Sequence, residues 1–180
     1  AVAASYPSGF EDLFQGLDAT RRFSKAAGTE AITVGTSIVT VAFAPQDNPQ
    51  RLLIDGIRGA RDSISVTFDH FTDLRLAREL AAASRRGVSV GVVGDQIVGT
   101  RVSFTLCSAG VPVRDQPSDV HSKYMVVDAG TPNGFVTTGS ANWSNNGMFE
   151  NDENLIEIRD PLISSAYAAD FSSLATVSQD

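Results

Sequence analysis

Hydrophobic residues up to position 113 alternate between two spacings, one typical of strands and one typical of helices. Short β-branched or aromatic runs predict strands at 32–34, 38–44, 64–71, 88–93 and 111–113. Apolar residues at helical spacing predict helices at 51–61, 73–86 and 104–109. Gly87 and Gly110 follow the last two of these helices, and glycine commonly ends a helix. Strands and helices are therefore expected to alternate through this part of the chain.

The rest of the chain is predicted to be mostly strands. Apolar runs without a breaker predict strands at 120–128, 135–138 and 155–158, and residues 162–174 are expected to form a closing helix. Residues 129–134 read Ala-Gly-Thr-Pro-Asn-Gly, a composition typical of a turn. This order of elements indicates an α/β fold in which helices flank both faces of a mixed β-sheet.

The length of 180 residues and the hydrophobic content of 42% favour a single domain with a real core, expected at residues 38–180. Residues 1–37 are expected to be an extension or linker, with one amphipathic helix at 10–23. The alanine-rich start fits signal-peptide removal from a secreted or periplasmic protein, but such starts are common and the compartment stays open. No apolar run reaches the length of a membrane span.

The predicted strand at 120–128 carries a histidine and a lysine that share one face. His121 and Lys123 are two residues apart, so their side chains project together. A nucleophile or proton carrier beside a fixed positive charge suits an anionic substrate, for which a phosphate is the obvious candidate. Asp128 would point the other way, so we interpret it as an orienting or structural carboxylate and not as the attacking group.

A second polar cluster follows the predicted strand at 135–138. Gly139 lets the backbone approach a ligand closely. Ser140 and Asn142 supply neutral hydrogen-bond donors. Together with Lys123, these side chains are expected to hold the non-bridging oxygens of a phosphoryl group.

The two clusters together resemble the signature of the phospholipase D superfamily, which reads His-x-Lys, four residues, Asp, and then Gly-Ser-x-Asn. Here the signature stands as His121-Ser122-Lys123, Asp128 and Gly139-Ser140-Ala141-Asn142. Glu153-Asn154 before an apolar strand also matches the small single-motif endonucleases of that superfamily. The gap between Asp128 and Gly139 is longer than usual, and we assign the excess to the turn at 129–134.

The resemblance implies a phospholipase D-like catalytic domain that hydrolyses phosphodiesters through a phosphohistidine. It implies that His121, Lys123, Asp128 and Glu153 are catalytic residues, of which His121 reacts with phosphorus and Lys123 stabilises the transition state. Gly139, Ser140, Asn142 and Asn154 are implied to bind the substrate. Glu153 is the candidate for holding a ring nitrogen of His121, within the chain or across an interface. No cofactor and no metal ion are expected, because lysines can supply the positive charge and the sequence shows no cluster at metal-ligand spacing.

The mechanism needs two imidazoles, one to attack phosphorus and one to protonate the leaving oxygen. This chain has one motif histidine, His121, and one other histidine, His70. Either His70 is the acid, or a second motif faces the first. The resemblance favours the second motif, supplied by a homodimer partner or a sister repeat.

The resemblance to small endonucleases favours nucleic acid as the substrate, with a phospholipid headgroup as the alternative, and the charge of the chain bears on this choice. The formal net charge of −7 lacks the basic footprint of a dedicated nucleic-acid binder and disfavours adsorption to anionic membranes. Arg85, Arg86, Arg101 and Arg114 could still line one face, although the first two suit a solvated helix end. A third reading, a non-catalytic dimeric scaffold or binding module, is disfavoured because the motif residues are intact.

Four further residues have a plain structural interpretation beside a functional one. His70 is expected to be partly buried, with the rim of a phosphate pocket as the alternative. Asp95 is expected to be a loop carboxylate. Trp143 is either a lid over the pocket or a packing anchor for its loop. Cys107 is expected to be a buried filler, because one cysteine excludes an internal disulfide framework.

Overall fold

The computed structural model describes residues 31–116 and 121–178, so the helix predicted at 10–23 lies outside the described residues. Within them, eight strands form one sheet: β1 (Ala31–Val34), β2 (Ser37–Ala44), β3 (Ser63–Phe68), β4 (Ser89–Gly94), β5 (Val113–Asp115), β6 (Lys123–Val127), β7 (Phe135–Gly139) and β8 (Glu153–Arg159). Five helices accompany them: α1 (Pro49–Gly59), α2 (Leu74–Arg85), α3 (Arg101–Cys107), α4 (Asn145–Phe149) and α5 (Pro161–Val177).

The sheet is mixed, as predicted, and its strand order is β1-β2-β8-β7-β6-β3-β4-β5. Strands β3, β4 and β5 run parallel, and α2 and α3 connect them along the chain. All other neighbours pair antiparallel. Because β1 pairs with β2, the sheet already begins before residue 38, where the sequence placed the start of the domain.

Helices cover both faces of the sheet, which confirms the predicted fold class. The larger core lies between one face and helices α1 to α3, and it includes Leu53, Leu80 and Leu106 from these helices. The smaller cluster lies on the other face, where Tyr124 and Val136 pack against α5. None of the helices within the described residues is long and apolar enough to cross a membrane.

Polar side chains set where several helices begin. Asp73 precedes α2 and accepts hydrogen bonds from the backbone N–H groups of Arg75 and Leu76, which an N-cap residue typically does. Thr100 plays the same part for α3, which therefore begins earlier than the predicted helix at 104–109. The short helix α4 was not predicted.

Several strand boundaries differ from the predictions in ways that matter for the site. Strand β3 ends at Phe68 and not at Phe71, so Asp69 and His70 lie in the segment that follows the strand. Strand β6 begins at Lys123, so His121 precedes it. Cys107 is exposed at the end of α3, which corrects its assignment as a buried filler.

Seven strands end or begin together at one edge of the molecule, which we call the site edge. The strand ends there are Ala44 of β2, Phe68 of β3, Gly94 of β4, Asp115 of β5, Lys123 of β6, Gly139 of β7 and Glu153 of β8. Their register aligns them, because Phe68 pairs with Lys123 and Ala44 pairs with Glu153. Every residue of the predicted motifs except Asp128 therefore falls at or next to this edge.

Glu157 generates a prediction about pH and stability. Its side chain is 3% exposed and forms an ion pair with Arg159 at 2.7 Å. Burial raises the pKa of this carboxyl above its ordinary value, and the attraction of Arg159 only partly opposes that effect. A carboxyl with a raised folded-state pKa stabilises the protein below its unfolded pKa, and that stability is lost as the pH rises through the folded pKa. Glu157→Gln should therefore gain stability over the wild type as the pH rises, measured by urea unfolding from pH 4 to pH 8.

Glu79 provides a control of opposite sign. Its hydrogen bond with Arg58 lowers the pKa of its carboxyl, so its stabilisation exists above the unfolded pKa and disappears as the pH falls. Glu79→Gln should be less stable than the wild type at neutral pH and approach it in acid. Parallel pH dependences for the two variants would contradict the assignment of Glu157.

Candidate active site

A buried ion pair joins two strands at the site edge. Lys123 begins β6, and its ammonium Nζ lies 3.0 Å from Oδ1 of Asp69, which follows β3. The lysine side chain is 6% exposed and the aspartate side chain 18% exposed, so water screens the pair weakly. The ammonium also donates to the backbone carbonyl of His121 at 3.3 Å. These two contacts fix the ammonium at the end of the strand.

His121 lies beside this pair but is open to solvent. Its Nε2 lies 3.5 Å from Oδ2 of Asp69, and its side chain is 90% exposed. His121 and Lys123 therefore reach the same carboxylate, which agrees with the prediction that they project together. An exposed imidazole next to a fixed ammonium is accessible to an anion from solution.

Asp69 is the residue that sequence reasoning missed. It contacts both motif residues, yet it lies far from them along the chain, and no local pattern links the two segments. The available signal was its position at the end of a predicted strand, directly before His70. The carboxyl ends of parallel strands are frequent sites of function.

The Gly-Ser-x-Asn segment lies against the start of β8. Ser140 Oγ accepts a hydrogen bond from the backbone N–H of Asn154 at 3.1 Å, and the Ser140 N–H donates to the Asn154 carbonyl, also at 3.1 Å. Gly139 has a φ of 154°, and a Cβ there would collide with that carbonyl oxygen. Glycine is therefore needed at this position for a close approach of two strands.

Asn142 carries a buried polar atom that lacks a partner. Its Oδ1 is inaccessible to solvent and has no hydrogen-bond partner among the described residues. Buried polar atoms are normally paired, and exceptions concentrate where a ligand or water completes the network. The unpaired atom is an acceptor that calls for a donor, whereas Nδ2 is the atom of Asn142 that can donate to an anion.

Trp143 is a packing anchor and not a lid. It is fully buried, and its ring lies 4.5 Å from the ring of Phe68 and 4.9 Å from the ring of Phe71, measured between centroids. Its carbonyl accepts hydrogen bonds from the N–H groups of Thr72 and Asp73, both at 2.9 Å. The loop after β7 is thereby tied to the segment after β3, which carries Asp69.

Asp128 lies at the opposite end of β6 and does not join the site. Its carboxylate is buried and accepts hydrogen bonds from the backbone N–H groups of Arg61, Asp62 and Ser63, at 2.8 to 3.1 Å. Asp128 itself has a φ of 48°, a left-handed conformation at the start of the turn. These contacts agree with the structural interpretation of this carboxylate and correct its inclusion among the catalytic residues.

Glu153 lies at the site edge but does not contact His121 within the described chain. Its Oε1 accepts a hydrogen bond from Nδ2 of Asn151 at 3.1 Å. Two strands separate β8 from β3, and the carboxylate that meets the His121 ring is Asp69. A contact of Glu153 with a partner copy stays a prediction.

A cavity of about 320 Å³ adjoins the ion pair on the side of β4. Its walls include Asp69, His70, Asp95, Gln96 and Thr100. His70 is exposed and lines this cavity, which corrects the expectation that it is partly buried in a strand. The alternative interpretation, a histidine on the rim of the site, fits its position.

Two of the four arginines proposed to line one face lie on opposite faces of the sheet. Arg86 donates to the carbonyl of Ile57 on the α1 side of the sheet, whereas Arg114 donates to the carbonyl of Ala175 in α5. The expectation of a shared basic face was therefore wrong for this pair. In residues 31–116 and 121–178, no three His, Cys, Asp or Glu side chains are grouped so as to hold a metal ion.

The fold and the placement of His121, Lys123, Ser140 and Asn142 define a phospholipase D-like domain. Residues 53–175 match the family described as "Cardiolipin synthase, PLD-like domain". The chain therefore belongs to the phospholipase D-like family, which confirms the resemblance seen in its motifs.

Two curated relatives match this chain over part of their own length. The mitochondrial cardiolipin hydrolase of Xenopus laevis is 38% identical over 130 residues, which cover 69% of this chain and 59% of the relative. The Homo sapiens protein of the same name is 32% identical over 114 residues, which cover 60% and 43%. The chain thus spans less than two thirds of the length of these curated relatives.

Solved structures share the fold over nearly their whole length. The phospholipase D family member Nuc from Salmonella typhimurium superposes with a TM-score of 0.71 at 27% identity, covering 80% of this chain and 97% of Nuc. NucT from Helicobacter pylori gives a TM-score of 0.67 at 21% identity, covering 79% and 98%, and supports the fold alone.

The contacts of Asp128 generate a prediction about stability. Asp128→Ala would remove the charged acceptor that the N–H groups of residues 61–63 share, and a hydrogen bond to a charged group contributes about 1.5–3 kcal/mol. Urea unfolding should show a loss of at least about 2 kcal/mol. Asp62→Ala, which keeps the backbone N–H groups and their acceptor, is the matched control and should change stability little. Equal unfolding midpoints for Asp128→Ala and the wild type would contradict this role.

Proposed function

We propose that this chain supplies half of a metal-independent phosphodiesterase site in which His121 attacks phosphorus. The observation that carries the proposal is the exposed His121 imidazole beside the buried Lys123 ammonium, both within reach of one carboxylate. A phosphodiester anion that approaches the ammonium would meet the ring nitrogen. Ser140 and Asn142, at the neighbouring strand end, are the proposed donors to its non-bridging oxygens.

The reaction proceeds in two displacements. In the first, a lone pair of the neutral imidazole forms a bond to phosphorus, and the bond from phosphorus to the leaving alcohol oxygen breaks as that oxygen takes up a proton. In the second, water attacks the phosphohistidine, loses a proton to a general base, and regenerates the imidazole. Lys123 stabilises the charge on the pentacoordinate phosphorus in both steps.

The proton donor is proposed to be His121 of a second copy in a homodimer. The attacking imidazole cannot also protonate the leaving oxygen in the same step, so a second acid is required. A side chain that is 90% exposed is accessible to a symmetry-related surface. An isologous dimer would bring two copies of the same residue together.

Subunit mixing tests the shared site. His121→Asn should abolish cleavage of bis-(p-nitrophenyl) phosphate in excess chelator, without changing the mass measured by light scattering. If both copies of His121 are needed, an equal mixture with the wild type after subunit exchange should keep about one quarter of the wild-type activity, because only wild-type pairs are active. Each active chain acting alone would instead leave about one half.

His70→Asn separates the two candidate acids. If His70 were the proton donor, this variant would lose activity and the mixture would follow the linear expectation. If His70→Asn keeps its activity and the mixture of His121→Asn with the wild type keeps about one quarter, the proton donor is His121 of the second copy. Turnover by His121→Asn at the wild-type rate would contradict the whole proposal.

Nucleic acid is the proposed substrate, and a phospholipid headgroup is the second candidate. The single His-x-Lys motif followed by Glu153-Asn154 resembles small endonucleases, which supports the first. The identity of 38% to a protein named mitochondrial cardiolipin hydrolase supports the second. The net charge of −7 does not favour a long polyanion over a lipid diester.

Competition between substrates distinguishes these two classes. The wild type is expected to cleave a single-stranded oligonucleotide in chelator with kcat/KM at least about tenfold above that for cardiolipin in mixed micelles, with His121→Asn as the blank for each assay. The opposite ratio would support the lipid and contradict the nucleic-acid proposal. Steep loss of oligonucleotide cleavage with added salt would further indicate phosphate contacts.

A further inference from the structure

Asp69 occupies the place at which the proposed mechanism requires a phosphate. Its two carboxylate oxygens are divided between Lys123 Nζ at 3.0 Å and His121 Nε2 at 3.5 Å. A phosphoryl group bound for reaction would need the same two partners, with one oxygen on the ammonium and phosphorus near the ring nitrogen. The carboxylate and the phosphate therefore compete for one location.

We infer that Asp69 is a positioning residue that holds Lys123 and His121 in the empty site and gives up these contacts to the substrate phosphate. This inference rests on the proposed function, because it assigns Asp69 a part in the same site. A buried ammonium without a partner costs several kcal/mol, so a counterion is required whenever no substrate is present. Asp69 supplies that counterion and aligns the imidazole with it.

The cavity beside the ion pair offers the carboxylate room to move. Asp69 lines both the ion pair and the cavity of about 320 Å³, so its side chain can turn away from β6 without displacing the core. The Trp143 carbonyl accepts hydrogen bonds from the N–H groups of Thr72 and Asp73, which ties the chain shortly after Asp69 to the loop after β7.

The charged and titratable groups around Asp69 shape this exchange. His121 and Lys123 face it from β6 and the residues before that strand, and His70 is its neighbour along the chain. Asp95, after β4, faces the same cavity and opposes a second negative charge there. His70 lines the same cavity and carries no negative charge, so it does not oppose the displaced carboxylate.

Inorganic phosphate is the probe for the exchange. Isothermal titration calorimetry of Asp69→Asn should show phosphate binding about tenfold tighter than in the wild type, because a like charge at the binding position is removed. Asn keeps an oxygen that can accept from Lys123 and a similar shape. Unchanged or weaker phosphate binding by the folded variant would overturn the inference.

The kinetic readout is a split between KM and kcat. Asp69→Asn should lower KM for bis-(p-nitrophenyl) phosphate and also lower kcat, because the diester binds more easily while His121 is less well aligned. Asp69→Glu, which keeps the charge, should hold KM within about twofold of the wild type. Loss of activity with unchanged KM and unchanged phosphate binding would indicate a merely structural residue and overturn the inference.

Asp95→Asn is the matched control for charge. It removes one carboxylate from the other side of the same cavity, and no ion pair joins Asp95 to Lys123 or His121 within the described residues. If the loss of any nearby negative charge were enough to strengthen phosphate binding, Asp95→Asn would bind phosphate as tightly as Asp69→Asn does. That result would overturn the inference. A clearly smaller effect supports direct competition.

A measurement on the wild type covers the case in which Asp69→Asn does not fold. The chain has only two histidines, so ¹⁵N-histidine labelling gives two rings, which His70→Asn assigns. Saturating phosphate should shift the His121 ring nitrogen resonances as the carboxylate leaves. Phosphate binding without that shift would overturn the inference. Tighter phosphate binding by Asp69→Asn in a protein that hydrolyses no diester would remove the proposed function and leave the exchange standing.

Discussion

The site depends on the burial of one ammonium group. Lys123 is almost inaccessible to solvent, and a buried charge is tolerated only when it is paired and hydrogen-bonded. Asp69 provides the pair and the carbonyl of His121 provides the bond, so the lysine, the histidine and the end of β3 must lie together. The positive charge thus acts in a weakly screened environment, which strengthens its effect on an anion.

Contacts elsewhere in the domain hold in place the two segments that form this ion pair. Strand β6 is fixed at its far end by Asp128, whose carboxylate collects three consecutive backbone N–H groups ahead of β3. At the near end, Trp143 ties the loop after β7 to the segment that carries Asp69. Gly139 lets that loop approach β8 closely enough for Ser140 to bond with Asn154. The Asp128 contacts, the Trp143 anchor and the close approach at Gly139 thereby help to place the polar side chains at one edge.

Residue spacing was sufficient to predict which side chains of one short segment lie together. It was not sufficient to predict contacts between segments that are distant along the chain. The prediction that His121 and Lys123 lie together agrees with their shared contact to Asp69, although His121 precedes β6 and is not part of a regular strand. The breaker-free runs correctly indicated a mixed sheet. Asp69 could not be found in this way, because its contact with Lys123 depends on which strands become neighbours. Cys107 was misplaced for a simpler reason, since α3 starts at Arg101 and its buried side is set by Val102 and Leu106.

The charge balance of the site explains why it needs a further contribution. With a neutral imidazole ready to attack, the ammonium of Lys123 is cancelled by the carboxylate of Asp69, so one chain offers a phosphate no net positive charge. The overall charge of −7 adds no attraction at long range.

Positive charge becomes available when Asp69 turns away, when a second copy contributes its own lysine, or when both occur together. Both changes would alter the surroundings of the exposed His121, because its ring contacts Asp69 on one side and solvent on the other. A phosphate anion needs more positive charge than one chain offers while Asp69 is paired with Lys123. Displacement of the Asp69 carboxylate and the addition of a second chain would both supply that charge.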